Sequence, residues 1–194
     1  MNKKNLLKKE YIWQLAIAIF LIIIGVVCRL FPHPPNFTPI VAIAIFGGVY
    51  LSSKTALLLP IITMITSDIF IGFYDFYLMI FVYVSILLSV ILGFLIRKNK
   101  NWIIVLSTSV LSAFLFFIIT NFAVWFFTTW YPKNLFGIVQ CYLMALPFLK
   151  NNILGNLFYT GIIFGFFEIA KVFGQKFFRA KIFQRLKYDL FSNC

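Results

Sequence analysis

Long apolar runs separated by short basic segments are the feature that most constrains how this chain folds. Residues 12–30 carry a single charge, Arg29, and a run of about 20 such residues crosses the hydrocarbon core of a bilayer as a helix. Hydrophobic residues make up 62% of the sequence and charged residues 11%, whereas soluble domains carry about 25% charged residues. The sequence therefore predicts an all-α integral membrane protein embedded in the lipid bilayer.

Six segments are apolar enough to predict a six-transmembrane-helix bundle, with spans at 12–30, 37–53, 55–73, 76–96, 102–126 and 152–173. A shorter run, 137–148, ends near Pro147 and predicts a re-entrant or interfacial helix before the last span. Residues 1–173 would form one transmembrane domain. Residues 174–194 alternate basic and apolar side chains at roughly helical spacing, which predicts an amphipathic cytoplasmic tail on the lipid headgroups. A partner-binding peptide is the alternative for this tail.

The distribution of Lys and Arg predicts how the helices are oriented. Of the 17 basic residues, fourteen fall on the side that carries both termini, and Arg29, Lys133 and Lys150 fall on the other. Basic residues favour the cytoplasmic side, so both termini are expected to be cytoplasmic. These anchors account for the formal net charge of +12, and no nucleic-acid partner is expected.

The first outer loop, RLFPHPPNFTP at residues 29–39, holds four of the seven prolines and the only histidine. Proline fixes its own φ and pushes the preceding residue toward extended backbone. The loop is therefore predicted to be a stiff lid that holds His33 and Asn36 over an outward-facing cavity. A rigid corner that sets the angle between the first two helices is the alternative.

Polar side chains at membrane depth are functional candidates because their burial in lipid is costly. Most of them fall in the outer half of the predicted bundle, which indicates an outward-facing pocket for a small molecule. The substrate-binding candidates are His33, Asn36, Asp68, Asp75, Asn121, Trp125, Tyr131 and Asn156. Helix caps and an interfacial aromatic belt are the alternative roles for individual members of this set.

Two pairs of small residues spaced four apart predict close helix packing. They are Ala44 with Gly48, and Gly161 with Gly165. Small residues at this spacing let helix backbones approach closely in lipid. Packing within the chain is the first interpretation, and a partner helix is the second.

Motifs for enzyme chemistry are missing from the sequence. One histidine cannot supply a His-rich metal site, and neither a G-x-S-x-G elbow nor a Gly-rich phosphate loop occurs. The three cysteines match no metal or redox spacing. We therefore expect a protein that is not an enzyme and that uses no metal or other cofactor.

The stretches RLFPHPPNFTPIVAIAIFGGVYLSS, SDIFIGFYD, WYPKNLFG and ALPFLKNNILGNLFYTGIIFG resemble a family of uncharacterised bacterial membrane transport proteins. That family is similar to the substrate-binding S components of energy-coupling factor (ECF) vitamin transporters. The resemblance covers roughly residues 26–170. It implies an S-component-like bundle in the bacterial inner membrane that takes up a vitamin-like micronutrient. The candidate residues would form its pocket, and the first outer loop would close over helices four to six.

The first helix bears on which partners such a protein would need. S components present two alanines four apart, where the coupling subunit docks, but here Ala16 is followed by Phe20 and Ala18 by Ile22. Dependence on separate coupling and ATPase subunits and a solitary carrier both stay open. The alternative to transport is a membrane scaffold of a rod-shape morphogenesis complex, which would need no cavity.

Overall fold

Six α-helices form the computed structural model, which describes the backbone of residues 3–191 and the side chains of residues 11–173. The helices are α1 (Lys3–Leu30), α2 (Ile40–Tyr50), α3 (Ser53–Ile71), α4 (Phe76–Ile96), α5 (Trp102–Phe127) and α6 (Leu135–Phe191). No strand occurs within residues 3–191. Five of the helices are long and apolar enough to cross a membrane. The predicted all-helical, membrane-type architecture is confirmed to that extent.

The second helix is much shorter than the predicted span 37–53. It has 11 residues, which rise about 16 Å, roughly half the thickness of the hydrocarbon core. Pro39 precedes it, and Leu51 ends it in extended backbone. Ser52 follows at once as the N-cap of α3 and accepts a hydrogen bond from the backbone N–H of Thr55. The predicted span was too long at both ends because it included residues 37–39 and 51–53, which belong to the proline loop, the short turn after α2 and the start of α3.

The short α2 lies at the centre of the bundle and contacts each of the other five helices. All its residues from Ile40 to Val49 are buried. Its backbone approaches α4 closely, since a Cβ placed on Gly48 would lie 2.8 Å from the Cα of Gly93. Gly48 and the fully buried Ala44 thus lie at the packed interior, where the sequence pattern predicts them.

The second small-residue pair, Gly161 and Gly165, does not bring two helices together in the described part of the chain. A Cβ on Gly161 would meet no atom within 4 Å, and one on Gly165 would meet only the Trp102 ring at 3.8 Å. The expectation of close internal packing at this pair is therefore corrected. The pair is on a face of α6 that packs against no neighbouring helix backbone.

The last helix runs without a break from Leu135 to Phe191, with Pro147 inside it. The predicted short helix 137–148 and the predicted span 152–173 are therefore one element, and the predicted break is wrong. Proline removes one backbone hydrogen bond, but spanning helices tolerate this when the adjacent turns and neighbouring helices hold the geometry. The amphipathic character predicted for 174–194 lies outside the described side chains.

The loops divide between two ends of the bundle. One end carries loops 31–39, 72–75 and 128–134 and is named the proline-loop end; the opposite end carries 51–52 and 97–101. At the opposite end, Arg97 donates to the carbonyl oxygens of Gly48 and Leu51 over 2.7 Å each. A basic side chain there satisfies the terminal carbonyls of α2 and matches the helix dipole. The N-terminus of α2 faces the proline-loop end.

Candidate functional site

A cavity of about 560 Å³ lies at the proline-loop end of the bundle. Its apolar lining is Leu30, Ile40, Val41, Met64, Ile71, Val82, Ile86 and Phe116, and its polar lining is Arg29, His33, Asn36, Thr38, Tyr74 and Asn152. All six helices or their adjoining loops contribute. The cavity exists because α2 begins at Ile40, deep in the bundle, and leaves space that a full-length span would fill.

Arg29, in the last turn of α1, is the cationic side chain of the lining. Its Nη2 lies 2.9 Å from Oδ1 of Asp68, and its Nη1 donates to Oγ of Ser67 over 2.5 Å. The side chain of Arg29 is 15% exposed and that of Asp68 is 1% exposed. The pair therefore neutralises itself in the protein interior and fixes the orientation of the guanidinium at the cavity wall.

Two tyrosines surround the carboxylate of this pair. The Tyr83 hydroxyl donates to Oδ2 of Asp68 over 2.8 Å, so Asp68 stands behind the cavity wall and holds Arg29. Burial, and then the negative charge of Asp68, raise the pKa of Tyr74 to about 12, while Arg29 opposes the shift. The Tyr74 hydroxyl therefore remains protonated, and able to act as a hydrogen-bond donor, throughout the physiological pH range.

The N-terminus of α2 lies at the cavity without a protein cap. Pro39 precedes it, and no side chain accepts from its first turn. Within the described residues, the backbone N–H groups of Ile40, Val41 and Ala42 have no acceptor, although these residues are at most 5% exposed. Buried backbone donors are nearly always paired, and a helix N-terminus carries partial positive charge. This end of α2 thus favours an acceptor or an anion.

Asn152 presents an amide to the same cavity from α6. It is 3% exposed, it belongs to the lining, and it makes no side-chain hydrogen bond to any residue between 11 and 173. Asn156, one turn further on, differs because its Nδ2 donates to the carbonyl oxygen of Ser109 over 3.4 Å. A buried amide without a partner is costly, so the Asn152 amide is available to a molecule in the cavity.

The proline loop is ordered by its own hydrogen bonds. Nδ1 of His33 donates to the carbonyl oxygen of Phe31 over 2.7 Å, and the backbone N–H of Phe37 donates to Pro34 over 3.0 Å. Asn36 has a φ of 64°, a left-handed conformation that asparagine tolerates better than most residues. The loop therefore has a defined shape that places His33 and Asn36 at the cavity.

Phe37 fastens this loop to α6. Its ring centroid lies 5.8 Å from that of Phe158 and 5.6 Å from that of Tyr159. Gly155 permits the approach, since a Cβ there would lie 3.0 Å from the Cα of Phe37. The loop is thus held at one point on α6, and His33 and Phe37 are both half-buried.

Three of the eight predicted binding residues belong to this region of the structure. His33 and Asn36 line the cavity, and Asp68 contacts it through Arg29. The other five, which lie outside the lining, are Asp75, Asn121, Trp125, Tyr131 and Asn156. The single outward cluster predicted from sequence is therefore corrected to a smaller group around the start of α2.

Helix geometry explains where the other polar residues go. Asp75 is the N-cap of α4 and accepts from the backbone N–H of Leu78 over 3.0 Å. The amide of Asn121 donates to Phe117 of its own helix over 2.8 Å. These are the local capping and backbone bonds that short polar side chains commonly make. Neither side chain is directed to the cavity.

The end of α5 and the loop that follows it hold their aromatic residues outside the cavity lining. Nε1 of Trp125 donates to the carbonyl oxygen of Pro132 over 3.0 Å, and Lys133 lies over the Trp125 ring at 5.7 Å from its centroid. Lys133 also donates to the carbonyl oxygen of Thr128 over 2.5 Å. Tyr131 is half-buried in the same loop. These contacts stabilise the loop and leave no side chain of it in the lining.

Four of the six polar lining residues were not among the predicted binding residues, namely Arg29, Thr38, Tyr74 and Asn152. Arg29 carried a usable signal, since it is a charge that directly follows an apolar run. Asn152 and Asn156 are four apart and share a helix face, but sequence does not say which of them bonds within the protein. Thr38 and Tyr74 carried no signal that separates them from other loop residues.

Comparison with known proteins gives a family. No curated protein and no solved structure matches the chain. The profile described as "Family of unknown function (DUF6580)" matches residues 9–179, which include the whole cavity lining. The chain therefore belongs to the family of unknown function DUF6580.

Proposed function

We propose that this protein binds a small, vitamin-like organic micronutrient from outside the cell and takes part in its uptake across the inner membrane. The cavity at the proline-loop end carries the proposal. Its volume of about 560 Å³ falls within the range of small-molecule sites, about 300–1,000 Å³. Apolar walls with a few polar groups are also typical of such sites. The fourteen-to-three asymmetry of Lys and Arg supports an outward orientation of this end.

A second feature supports passage through the protein and not binding alone. A smaller cavity of about 340 Å³ lies at the opposite end and is lined by Tyr50, Lys100 and Glu168 among others. Tyr50 is the last residue of α2, and Ile40, its first, lines the larger cavity. The short helix α2 therefore separates the two cavities, and movement of α2 would connect them. The Tyr50 hydroxyl donates to Oε1 of Glu168 over 2.6 Å and would hold the inner side closed.

The sequence alone bears on the energy source of the proposed uptake. No nucleotide-binding motif occurs in the chain, so ATP-driven uptake would require separate coupling and ATPase subunits, as in the S components it resembles. A solitary carrier would instead follow the gradient of its ligand. Uptake by cells that express this chain alone separates these two modes.

Two tryptophan variants of α4 test the proposed binding site. Val82 lines the cavity, whereas Val84 is 45% exposed on the outer surface of the same helix. Val82→Trp should fill the cavity, and Val84→Trp adds the same side chain elsewhere. Small molecules extracted from each purified protein are identified by mass spectrometry. We expect a compound that is retained by the wild type and by Val84→Trp and lost from Val82→Trp.

The opposite results are equally informative. The same extracted compounds on all three proteins would place binding outside the cavity. A wild-type protein that retains no compound and supports no uptake would favour the scaffold alternative, which needs no ligand.

A further inference from the structure

We infer that the cavity recognises a ligand carboxylate, which binds between the N-terminus of α2, Arg29 and Asn152. This inference deepens the proposed function and rests on it. It assigns the chemical class of the ligand: an organic acid with one ionised carboxylate and an apolar body. Arg29, Asn152 and the first two residues of α2, Ile40 and Val41, all belong to the lining of the same cavity.

The two ends of α2 provide the first argument. Arg97 binds the carbonyl oxygens at its C-terminus, whereas the N–H groups of Ile40, Val41 and Ala42 have no acceptor in the described part of the chain. Three buried donors with partial positive charge form an anion site of the kind seen at helix N-termini. A carboxylate would accept hydrogen bonds from these donors, and its negative charge would balance the positive end of the helix dipole. Arg97 balances the negative end in the same way.

Asn152 provides an independent observation. The residue is 3% exposed, and it lines the cavity from the α6 side without a side-chain hydrogen-bond partner among residues 11–173. An amide can donate two hydrogen bonds and accept others. It lies on a different helix from the α2 donors, so the two observations are independent. Both features are explained by one acceptor-rich group in the cavity.

The charge of the lining favours a single negative charge. Within the described residues, no acidic side chain belongs to the lining, and Arg29 is its one Lys or Arg. Asp68 already balances the formal charge of Arg29 at 2.9 Å. The positive potential that remains is the partial charge at the start of α2, about half a unit. This suits one carboxylate better than a doubly charged phosphate, and the eight apolar lining residues suit an organic body.

Matched pairs of acids and amides test the inference. The purified wild-type protein in nanodiscs is titrated at neutral pH with hexanoate and hexanamide, and with benzoate and benzamide, while its thermal unfolding is followed. Each pair shares shape and differs in charge. We expect the acids to raise the unfolding temperature and to bind at least about tenfold more tightly than the amides, since hydrogen bonds to an ionised acceptor are the stronger ones.

Asn152→Leu removes the amide with little change in size and should reduce acid affinity about tenfold or more. Asn121→Leu is the matched control, because the Asn121 amide bonds within α5 and lies outside the lining. It should leave acid affinity unchanged. Equal losses in both variants would overturn the assignment of Asn152.

Thr38 supplies a test that does not depend on Asn152. Thr38→Asp places a carboxylate in the cavity lining, one residue before Pro39 and the start of α2. Its charge would be stabilised by the partial positive charge of the helix N-terminus and would occupy the position assigned to the ligand. We expect a higher unfolding temperature without added acid and no further rise with hexanoate. Thr38→Asn offers a neutral side chain of the same shape and should keep most of the response.

Three outcomes overturn the inference: equal affinity for acid and amide, no binding of either, or an unchanged hexanoate response in Thr38→Asp. None of these decides the proposed function, because retention of a compound by Val84→Trp and its loss from Val82→Trp would still locate a neutral ligand in the cavity.

Discussion

The guanidinium of Arg29 and the carboxylate of Asp68 meet at 2.9 Å between the end of α1 and the last turn of α3. Asp68 is 1% exposed, so neither charge could remain buried without the other. Loss of one partner from such a pair leaves an uncompensated charge and costs about 3–5 kcal/mol. Well-packed apolar replacement of both partners is often neutral.

Asp68→Asn should therefore lower the free energy of unfolding by about 3 kcal/mol because Arg29 is left unpaired. The double variant Arg29→Met with Asp68→Leu should recover most of that loss, measured by thermal or denaturant unfolding in detergent. Asp75→Asn is the matched control, since asparagine caps a helix as well as aspartate does, and its stability should hardly change. A single and a double variant of equal stability would show that the pair is not coupled.

Gly48 and Gly161 give a contrasting pair of alanine substitutions. A Cβ on Gly48 would lie 2.4 Å from the carbonyl oxygen of Val90, whereas a Cβ on Gly161 would meet no atom within 4 Å. Gly48→Ala should force α2 away from α4 and cost about 1–3 kcal/mol. Gly161→Ala should be neutral or stabilise by up to about 1 kcal/mol. Unfolding of both variants under one condition checks this, and a stable Gly48→Ala would contradict the close approach.

The helical architecture was predictable from sequence because lipid-length apolar runs have few alternatives to a helix. The bounds of α4 and the start of α5 agree with the prediction. Both starts are marked in the sequence, because Asp75 and Asn101 cap these two helices with side-chain hydrogen bonds. The ends of α2 were missed, although Pro39 and Ser52 stand beside them, because the prediction extended this segment toward the length that a bilayer requires. The continuity of α6 through Pro147 was missed because packing decides whether a proline ends a helix.

The location of the site was predictable from sequence, but the residues that line it were not. Proline content drew attention to the correct loop, and His33 and Asn36 line the cavity. Asn121 and Asn156 have the same chemistry as Asn152, yet each bonds to protein. Which amide faces the cavity depends on helix rotation and on the short length of α2, and neither is readable from residue type.

The asymmetry of Lys and Arg predicts which end of the bundle faces out. In a background without native cysteines, Asn99→Cys in the loop 97–101 should react with a membrane-impermeant thiol reagent only after the cells are opened. Asn134→Cys, at the proline-loop end, should react in intact cells. Both positions are exposed, so access alone does not distinguish them. The reverse pattern would place the larger cavity in the cytoplasm and remove the basis for uptake from outside.

The proline loop allows a final test, which separates a lid from a rigid corner. Replacing Pro34 and Pro35 with glycine adds backbone freedom worth about 0.4–1 kcal/mol per residue and leaves the Phe37 contacts with α6 in place. A lid closes when ligand binds, so the added freedom would be lost at that step. Affinity for the compound retained by the wild-type protein should then fall up to about tenfold, with little change in unliganded stability.

A rigid corner is fixed before any ligand binds, so the same freedom would be lost on folding. Unfolding would then become easier by about 1–2 kcal/mol, and the affinity would hold. Phe37→Ala serves as the reference for a loop detached from α6, because it removes the ring that contacts Phe158 and Tyr159. Calorimetric titration and thermal unfolding on the same samples give both quantities. A change confined to stability would rule out the lid.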